Sequence, residues 1–331
     1  MKSLRIGTLG AAKITPMALL QPSLKLQQVD IVGVAARNPY RAKKFAKKYS
    51  IPNVYQSYEE LIQSDSIDAI YNPLPNSHHA YWSIQALRAG KHVLCEKPIA
   101  SNSKEAIEMQ RVAQEEKKIL MEAFHWRYHP LATRLIQLVQ GNTIGAIRNI
   151  AASFCIPLPF WNDIRYNITL AGGALMDTGC YTVSLLRHIM QEEPVVLSAK
   201  AKTVRSDIDR YMSAKLQFPS GALGSVQCSI WAWPLLSAYV KIDGERGSIH
   251  VTNPIGPHVL YNRIRIQTDD GIKTEKYKEE STYYYQLSHF YDSIYHDSPL
   301  PTDGKDAIKN MQIIDEIYRK AGLPLRQGYT P

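Results

Sequence analysis

Glu96, Lys97 and Pro98 stand where a short apolar run, His92–Cys95, gives way to a turn, just after a helix-like pattern that closes at Gly90. If that run is a parallel strand, it delivers an acid and an ammonium at its carboxyl end, which is where open α/β sheets carry out their chemistry. The same residues would also make an ordinary exposed turn, because proline shapes turns and lysine seeks water. What decides between the two lies upstream and downstream.

A second chemical feature is the turn Gly10-Ala11-Ala12-Lys13-Ile14, directly after the apolar run Leu4–Leu9. A strand that ends in glycine and passes straight into a helix points backbone N–H groups, and the positive end of the helix dipole, at a phosphate. The dinucleotide spacing G-x-G-x-x-G meets Gly10, Ala12 and Thr15 here. Only the first glycine is present, although Ala12 is small enough for close approach of a pyrophosphate. The run Ile31–Ala36 ends in Arg37, with no acid to hold a ribose 2′-hydroxyl. A guanidinium there suits a 2′-phosphate through charge-assisted bonds, which favours NADP over NAD.

A third loop, Asn72-Pro73-Leu74-Pro75-Asn76-Ser77-His78-His79, leaves the run Asp68–Tyr71. In a doubly wound sheet the first and fourth strands are neighbours, so this loop would face the Gly10 turn. Pro75, Asn76 and His79 are therefore further cofactor candidates, and Ser77 is a candidate helix cap. Histidines at 78, 79, 125 and 129 invite a metal reading. Adjacent side chains diverge on a helix, however, and Pro130 directly follows the i, i+4 pair His125 and His129, for which a third ligand is missing. No metal is expected.

The elements that must position these residues alternate over the first 120 or so positions. Strand-like runs at 4–9, 31–36, 68–71, 92–95 and 119–121 are separated by helical patterns, among them 77–89 and 103–117. That rhythm means βαβ units and a parallel sheet. Beyond residue 123 it changes: helices are expected at 131–140 and 174–190, then strands at 195–202, 211–218, 222–230, 238–243, 248–252 and 263–268, then closing helices at 284–295 and 303–320. The expected fold is α/β, with a doubly wound dinucleotide-binding domain over 1–122. An α+β domain over 123–331, on an open and largely antiparallel sheet, would bind substrate and oligomerise.

The chain has 331 residues, enough for two cores, with 45% hydrophobic and 21% charged residues. No run approaches a membrane span, and the start MKSLRIGTLGAAKI lacks the layout of a signal peptide. Cys95, Cys155, Cys180 and Cys228 form neither a C-x-x-C pair nor a disulfide ladder, so buried thiols in a reducing, cytoplasmic setting are expected. The net charge of +9 is dispersed except in Arg41–Ser50, where the lysines occupy the solvent face of a helical pattern. Neither a nucleic-acid groove reader nor a membrane anchor is indicated.

The combination resembles the Gfo/Idh/MocA oxidoreductase family. The likeness rests on G-T-L-G-A-A-K-I, A-A-R-N-P, N-P-L-P-N-S-H-H and A-G-K-H-V-L-C-E-K-P in order, then M-E-A-F-H-W-R-Y-H-P and G-G-A-L-M-D-T-G-C-Y. It implies a Rossmann domain, an NADP-dependent reaction on a sugar, polyol or cyclic dihydrodiol, and a dimer or tetramer formed through the second sheet. It also implies that Lys97 is catalytic, that Glu96 sets its geometry, that the Lys97–Pro98 bond is cis, and that Asp177 and Tyr181 occupy the D-x-G-x-[H/Y] positions.

Oxidising an alcohol transfers a hydride while the hydroxyl proton leaves, and the reverse reaction builds negative charge on a carbonyl oxygen. A tyrosine beside a lysine can exchange that proton, the cation lowering the phenol pKa. Substrate contacts are expected from Trp161, Asp163, Arg165, Tyr166 and Asn167, which suit a hydroxylated ring, and from Arg127 and His129. Two alternatives remain open: a non-catalytic NADP-sensing regulator on the same fold, and a nucleic-acid binder suggested by charge alone.

Overall fold

The computed structural model describes residues 2–204 and 207–330, so Met1 and Pro331, the outermost positions of the two expected domains, lie outside them. Two compact units are present. The first comprises Met1–Phe124, Tyr283–Ile308 and Gly328–Pro331, the second His125–Thr282 and Lys309–Gln327. The division thus falls two residues beyond the expected 122/123 boundary, and the chain returns late to the first unit, which reading the rhythm in order did not foresee.

The first unit is a six-stranded parallel sheet of β1 (Leu4–Leu9), β2 (Val29–Ala35), β3 (Asn53–Tyr55), β4 (Ala69–Asn72), β5 (His92–Cys95) and β6 (Leu120–Glu122). Its order, β3-β2-β1-β4-β5-β6, reverses direction between β1 and β4, the point where such sheets open a binding crevice. Strands β1, β4 and β5 are almost wholly buried, as a sheet covered on both faces requires. Within Met1–Phe124 this unit has the helices α1 (Gln21–Ser23), α2 (Pro39–Tyr49), α3 (Tyr58–Gln63), α4 (His79–Arg88) and α5 (Ser103–Glu115).

Sequence sets their starts. Asn38 Oδ1 accepts from the Tyr40 and Arg41 amides, with Pro39 at the first helical position. Asn102 caps α5 through the Glu105 amide, and Glu105 reaches back to the Ser101 amide. Ser77 plays no such part: it sits in a 3₁₀ turn, Asn76–His78, and its hydroxyl pairs with His78 Nδ1. The late segment closes the other edge of the sheet. Glu122 N–H donates to Thr302 O, and Met121 bridges to Asp303.

The second unit is built on eight strands: β7 (Ile147–Cys155), β8 (Val195–Val204), β9 (Ile208–Gln217), β10 (Leu223–Ser229), β11 (Ser237–Gly244), β12 (Gly247–Thr252), β13 (Arg263–Thr268) and β14 (Gly271–Glu275). They order as β14-β13-β12-β11-β7-β10-β9-β8, antiparallel throughout except for the parallel pair β7 and β10. Three elements correct the sequence reading, one of them β14, which has no counterpart there. Strand β7, unassigned there, lies fourth from one edge of the sheet. The helix expected over 174–190 opens instead with a π turn, Leu175–Gly179, before α7 (Cys180–Met190). The remaining helices of the chain are α6 (Pro130–Gln140), α8 (Thr282–Tyr295) and α9 (Gly304–Lys320).

Edge strand β14 is held by a two-pronged ion pair, Arg134 Nε and Nη2 to Glu275 Oε2 and Oε1, each at 2.9 Å. The guanidinium lowers the Glu275 pKa to about 2. A depressed carboxylate contributes stability that is present above its unfolded value of about 4.3 and is lost as pH falls through the folded value. Arg134→Met should therefore cost about 1 kcal/mol at pH 7. That deficit should shrink between pH 4.5 and 2, read as the difference in thermal midpoint; a difference that is flat with pH would contradict the assignment.

Candidate active site

In the first unit, β5 ends at Cys95 and the chain turns through Glu96, Lys97 and Pro98, with the Lys97–Pro98 bond cis. Three side chains fasten that turn. Tyr71, at the end of β4, donates its hydroxyl to Glu96 Oε1 at 2.6 Å. Glu122, fully buried at the end of β6, accepts the Ile99 amide at 2.8 Å. His79, the first residue of α4, places Nδ1 2.8 Å from Pro98 O and Nε2 2.7 Å from Leu74 O. Both oxygens accept, so a protonated ring would satisfy both. Complete burial dominates, and with the Lys97 charge it holds the His79 pKa at about 4.

Burial and the neighbouring Glu96 charge raise the Tyr71 phenol well above its usual range, so it stays protonated as a donor. Tyr283, from the late segment, faces Glu96 and is raised for the same reasons. Lys97 itself is half-buried. Lys97 and Glu96 are thus presented at the carboxyl edge of the sheet by residues from three strands and a helix. Sequence reasoning missed Tyr71 and Glu122; the only signal was a hydroxyl at the end of the 68–71 run and a carboxylate directly after the 119–121 run.

Gly10 follows β1 with φ +84°, its amide donating to Ala35 O at 2.6 Å. A Cβ on it would meet Leu74 Cδ2 at 3.3 Å in a conformation that L side chains avoid. Ala11, Ala12 and Ile14 are half-buried around this turn, and Lys13 is exposed. Arg37 is exposed just after β2, and Pro75 and Asn76 are half-buried in the loop after β4.

In the second unit, Gly173 has φ +135°, and a Cβ there would run into Asp209 Oδ1. The π turn follows, with Cys180 N–H reaching Leu175 O, one residue further than in an α-helix. It carries Asp177, and Tyr181 sits in the first turn of α7. Arg165 Nε donates to Asp177 Oδ2 at 2.7 Å, and its Nη1 donates to Asp163 Oδ1 at 3.1 Å. These two carboxylates raise the Arg165 pKa, Asp177 most strongly. Tyr181 is 6% exposed, with its hydroxyl 3.1 Å from His125 Nε2.

The models of the oxidoreductase family with an NAD-binding Rossmann fold, and of its C-terminal domain, match residues 4–124 and 133–250. The chain belongs to the Gfo/Idh/MocA oxidoreductase family. Among relatives, it is 32% identical to D-xylose 1-dehydrogenase (NADP(+)) 2 of Haloferax volcanii, over 95% of this chain and 96% of that one. It is 34% identical to trans-1,2-dihydrobenzene-1,2-diol dehydrogenase of Mus musculus, over 78% and 77%. A 3-ketoreductase from Actinomadura kijaniata, solved with NADP and TDP-benzene, superposes with a TM-score of 0.90 at 26% identity, covering both chains entirely.

As a Gfo/Idh/MocA protein the chain is an oxidoreductase with a Rossmann domain, and the Gly10 turn fits a dinucleotide. A Cβ at Gly10 would intrude on the cradle, and the next two residues, Ala11 and Ala12, are small. The expected substrate residues divide. Trp161 is half exposed and packs against Tyr166, ring centroids 5.0 Å apart. With Asn162, Asp163, Asn167 and Asp207 these two rings line a cavity of about 330 Å³, of which Asp177 and Tyr181 are not walls.

Tyr166 is buried with its hydroxyl given to Leu158 O at 2.6 Å, and burial raises its pKa to about 12. It forms a wall of the cavity, its hydroxyl already engaged. His129 is 1% exposed and accepts the Leu131 amide, capping α6. Arg127 lies over the Trp126 ring at 6.0 Å. Among the described residues no group of three or more His, Cys, Asp or Glu is placed to hold a metal ion, and no helix is long and apolar enough to cross a membrane.

Proposed function

We propose that this oxidoreductase transfers a hydride between NADP and a carbinol or carbonyl carbon of a sugar, polyol or cyclic dihydrodiol. The observation that carries the reading is the fastened Glu96-Lys97-Pro98 turn, at the carboxyl edge of a parallel sheet whose first strand ends in the Gly10 cradle. The names of the xylose and dihydrodiol relatives support the substrate class.

The first unit would hold the dinucleotide phosphates at Gly10, Ala11, Ala12, Lys13 and Ile14 and the 2′-phosphate at Arg37. Pro75, Asn76 and Glu96 would lie along the nicotinamide side, with His79 bracing that wall from behind. When bound, the nicotinamide accepts or supplies the hydride. Lys97 stabilises the negative charge that grows on the substrate oxygen. Tyr181 exchanges the proton. Asp177, tied to Arg165, acts as an acceptor that orients a substrate hydroxyl. Trp161 and Tyr166 offer ring faces to the substrate, and Arg127 and His129 stiffen the segment leading into α6.

We assign substrate recognition and self-association to the second unit. Exposed Val195, Leu197 and Leu223 on its sheet support a homodimer or homotetramer formed through that face. The four cysteines, all free and buried, support a cytoplasmic setting.

The test is nicotinamide reduction at 340 nm with NADP+ and NAD+ against aldoses, inositols and dihydrodiols. Turnover with NADP+ is expected, and Arg37→Ala should raise the KM for NADP+ by about tenfold while leaving that for NAD+ within about twofold. Turnover with NAD+ alone would overturn the Arg37 assignment. Dinucleotide binding without turnover on any substrate would point instead to a non-catalytic NADP sensor.

A further inference from the structure

Behind Tyr181 the second unit carries a line of polar side chains to which no part of the proposed function has been given. His125 Nε2 lies 3.1 Å from the Tyr181 hydroxyl, and His125 Nδ1 lies 2.7 Å from Thr282 Oγ1. Thr282 meets His258 twice: its amide N–H donates to His258 Nδ1 at 3.3 Å, and its hydroxyl lies 3.3 Å from the same nitrogen. His125, Tyr181 and Thr282 are buried, and His258 is half-buried.

His258 Nδ1 accepts the Thr282 amide, so it carries no proton, and in the Nδ1–H tautomer of His125 the Thr282 hydroxyl donates to it. The Thr282 oxygen is then an acceptor, and His125 Nδ1–H supplies its donor. A neutral imidazole has one N–H, so His125 Nε2 is bare and accepts the Tyr181 phenol proton. The rings meet edge to face, centroids 5.8 Å apart, and Phe154 closes another side of the phenol at 5.6 Å. Burial lowers the His258 pKa below its ordinary value, which keeps that ring neutral at pH 7.

We propose that His125 is the proton acceptor behind Tyr181, so that substrate oxidation passes its proton through the phenol to His125 Nε2. The inference rests on Tyr181 being the proton-exchanging group. As the carbinol O–H bond breaks, its proton moves to the Tyr181 oxygen while the phenol proton moves to His125. The carbinol C–H bond breaks with its electron pair, and the hydride goes to the oxidised nicotinamide dinucleotide. The products are a carbonyl, the reduced dinucleotide and an imidazolium at His125, whose Nδ1–H remains bonded to Thr282. One proton is then released to solvent before the next turnover. His125 faces the Tyr181 phenol from α7 and the Thr282 hydroxyl, with the His258 imidazole beyond it. His125 acts through Tyr181 and is a positioning residue in this sense.

The experiment compares His125→Gln, Thr282→Val and Tyr181→Phe with the wild type in alcohol oxidation from pH 6 to 10. Glutamine can bond to the phenol but cannot take its proton. His125→Gln should lower kcat at pH 7 by at least about tenfold with KM within about twofold, and the loss should shrink as pH approaches the phenol's own range near 10. Thr282→Val should show the same pH-dependent loss to a smaller extent. Nitrogen-15 spectra of ligand-free protein labelled in histidine should show His125 as the Nδ1–H tautomer. A pH-independent loss, a wild-type profile in His125→Gln, or the Nε2–H tautomer overturns the relay. Full turnover in Tyr181→Phe would instead overturn the role given to Tyr181, which keeps the two failures distinct.

Discussion

Lys97→Ala should lower turnover by about two to three orders of magnitude while dinucleotide affinity stays within about threefold. In the proposed reaction the ammonium is the positive charge offered where an alkoxide would grow, and Tyr71, His79 and Glu122 fasten its turn from β4, α4 and β6. Removing that side chain therefore leaves the turn and the Gly10 cradle in place. Equilibrium binding measured by fluorescence of the reduced dinucleotide, beside steady-state turnover, separates the two effects. Arginine should not rescue the variant, because a planar fork replaces a compact point charge. A variant retaining most of its turnover would remove Lys97 from the reaction.

Arg326→Met should destabilise the second unit by about 3–5 kcal/mol. Arg326 and Asp209 are both fully buried, with Nη2 2.7 Å from Oδ1. Arg326 Nε donates to Gly172 O at 2.7 Å, and its guanidinium lies 4.3 Å from the Tyr318 ring centroid. Asp209 also accepts from the Tyr318 hydroxyl at 2.9 Å and from the Leu175 amide at 2.7 Å. Burial raises the Asp209 carboxyl above its usual range, and Arg326 is the strongest of the groups opposing that shift.

With Arg326 removed, Asp209 must stay charged without its guanidinium or take up a proton, and either is costly. The double variant Asp209→Asn, Arg326→Met should lose less than the sum of the two singles, because no uncompensated charge remains. Chemical denaturation reads both, and a loss below about 1 kcal/mol in Arg326→Met would contradict the argument. The pair also fixes Gly172 and the first amide of the π turn, so surviving Arg326→Met protein should show impaired turnover through Asp177 and Tyr181.

Five of the six strands of the parallel half were legible because each is a short apolar run bounded by turn residues, whereas β3, Asn53–Tyr55, is exposed to half-buried and had no such signal. The second half was less so for local reasons. Strand β7 carries Arg148, Asn149 and the small residues Ala151, Ala152 and Ser153, too little bulk or alternation to announce a buried strand. Strand β14, Gly-Ile-Lys-Thr-Glu, is almost wholly exposed and is defined by its partner and by Arg134.

The site was legible as positions more than as contacts. Glu96, Lys97, Asp177 and Tyr181 stand out by motif, but nothing local links Glu96 to Tyr71 or Asp209 to Arg326. His125 and His129 at i, i+4 suggested at most a weak metal pair. The fold separates their tasks: one ring meets Tyr181 and the other caps α6. The π turn was hidden because its sequence reads as the first turn of an ordinary helix. One extra residue per turn there changes the direction in which Asp177 and Tyr181 point.

The late return of the chain to the first unit also has a meaning in time. Roughly 160 residues separate Phe124 from Tyr283. Thr302 and Asp303 follow about 20 residues later still, so at about 5–20 residues per second on the ribosome the Rossmann sheet waits roughly 9–36 s for them. Throughout that interval the β6 edge, with the Glu122 amide at its end, lacks the backbone partner it has in the finished protein. Newly made chains are thus most open to strand-to-strand association, and to chaperones that prevent it, after the first unit has emerged and before residue 303 has done so.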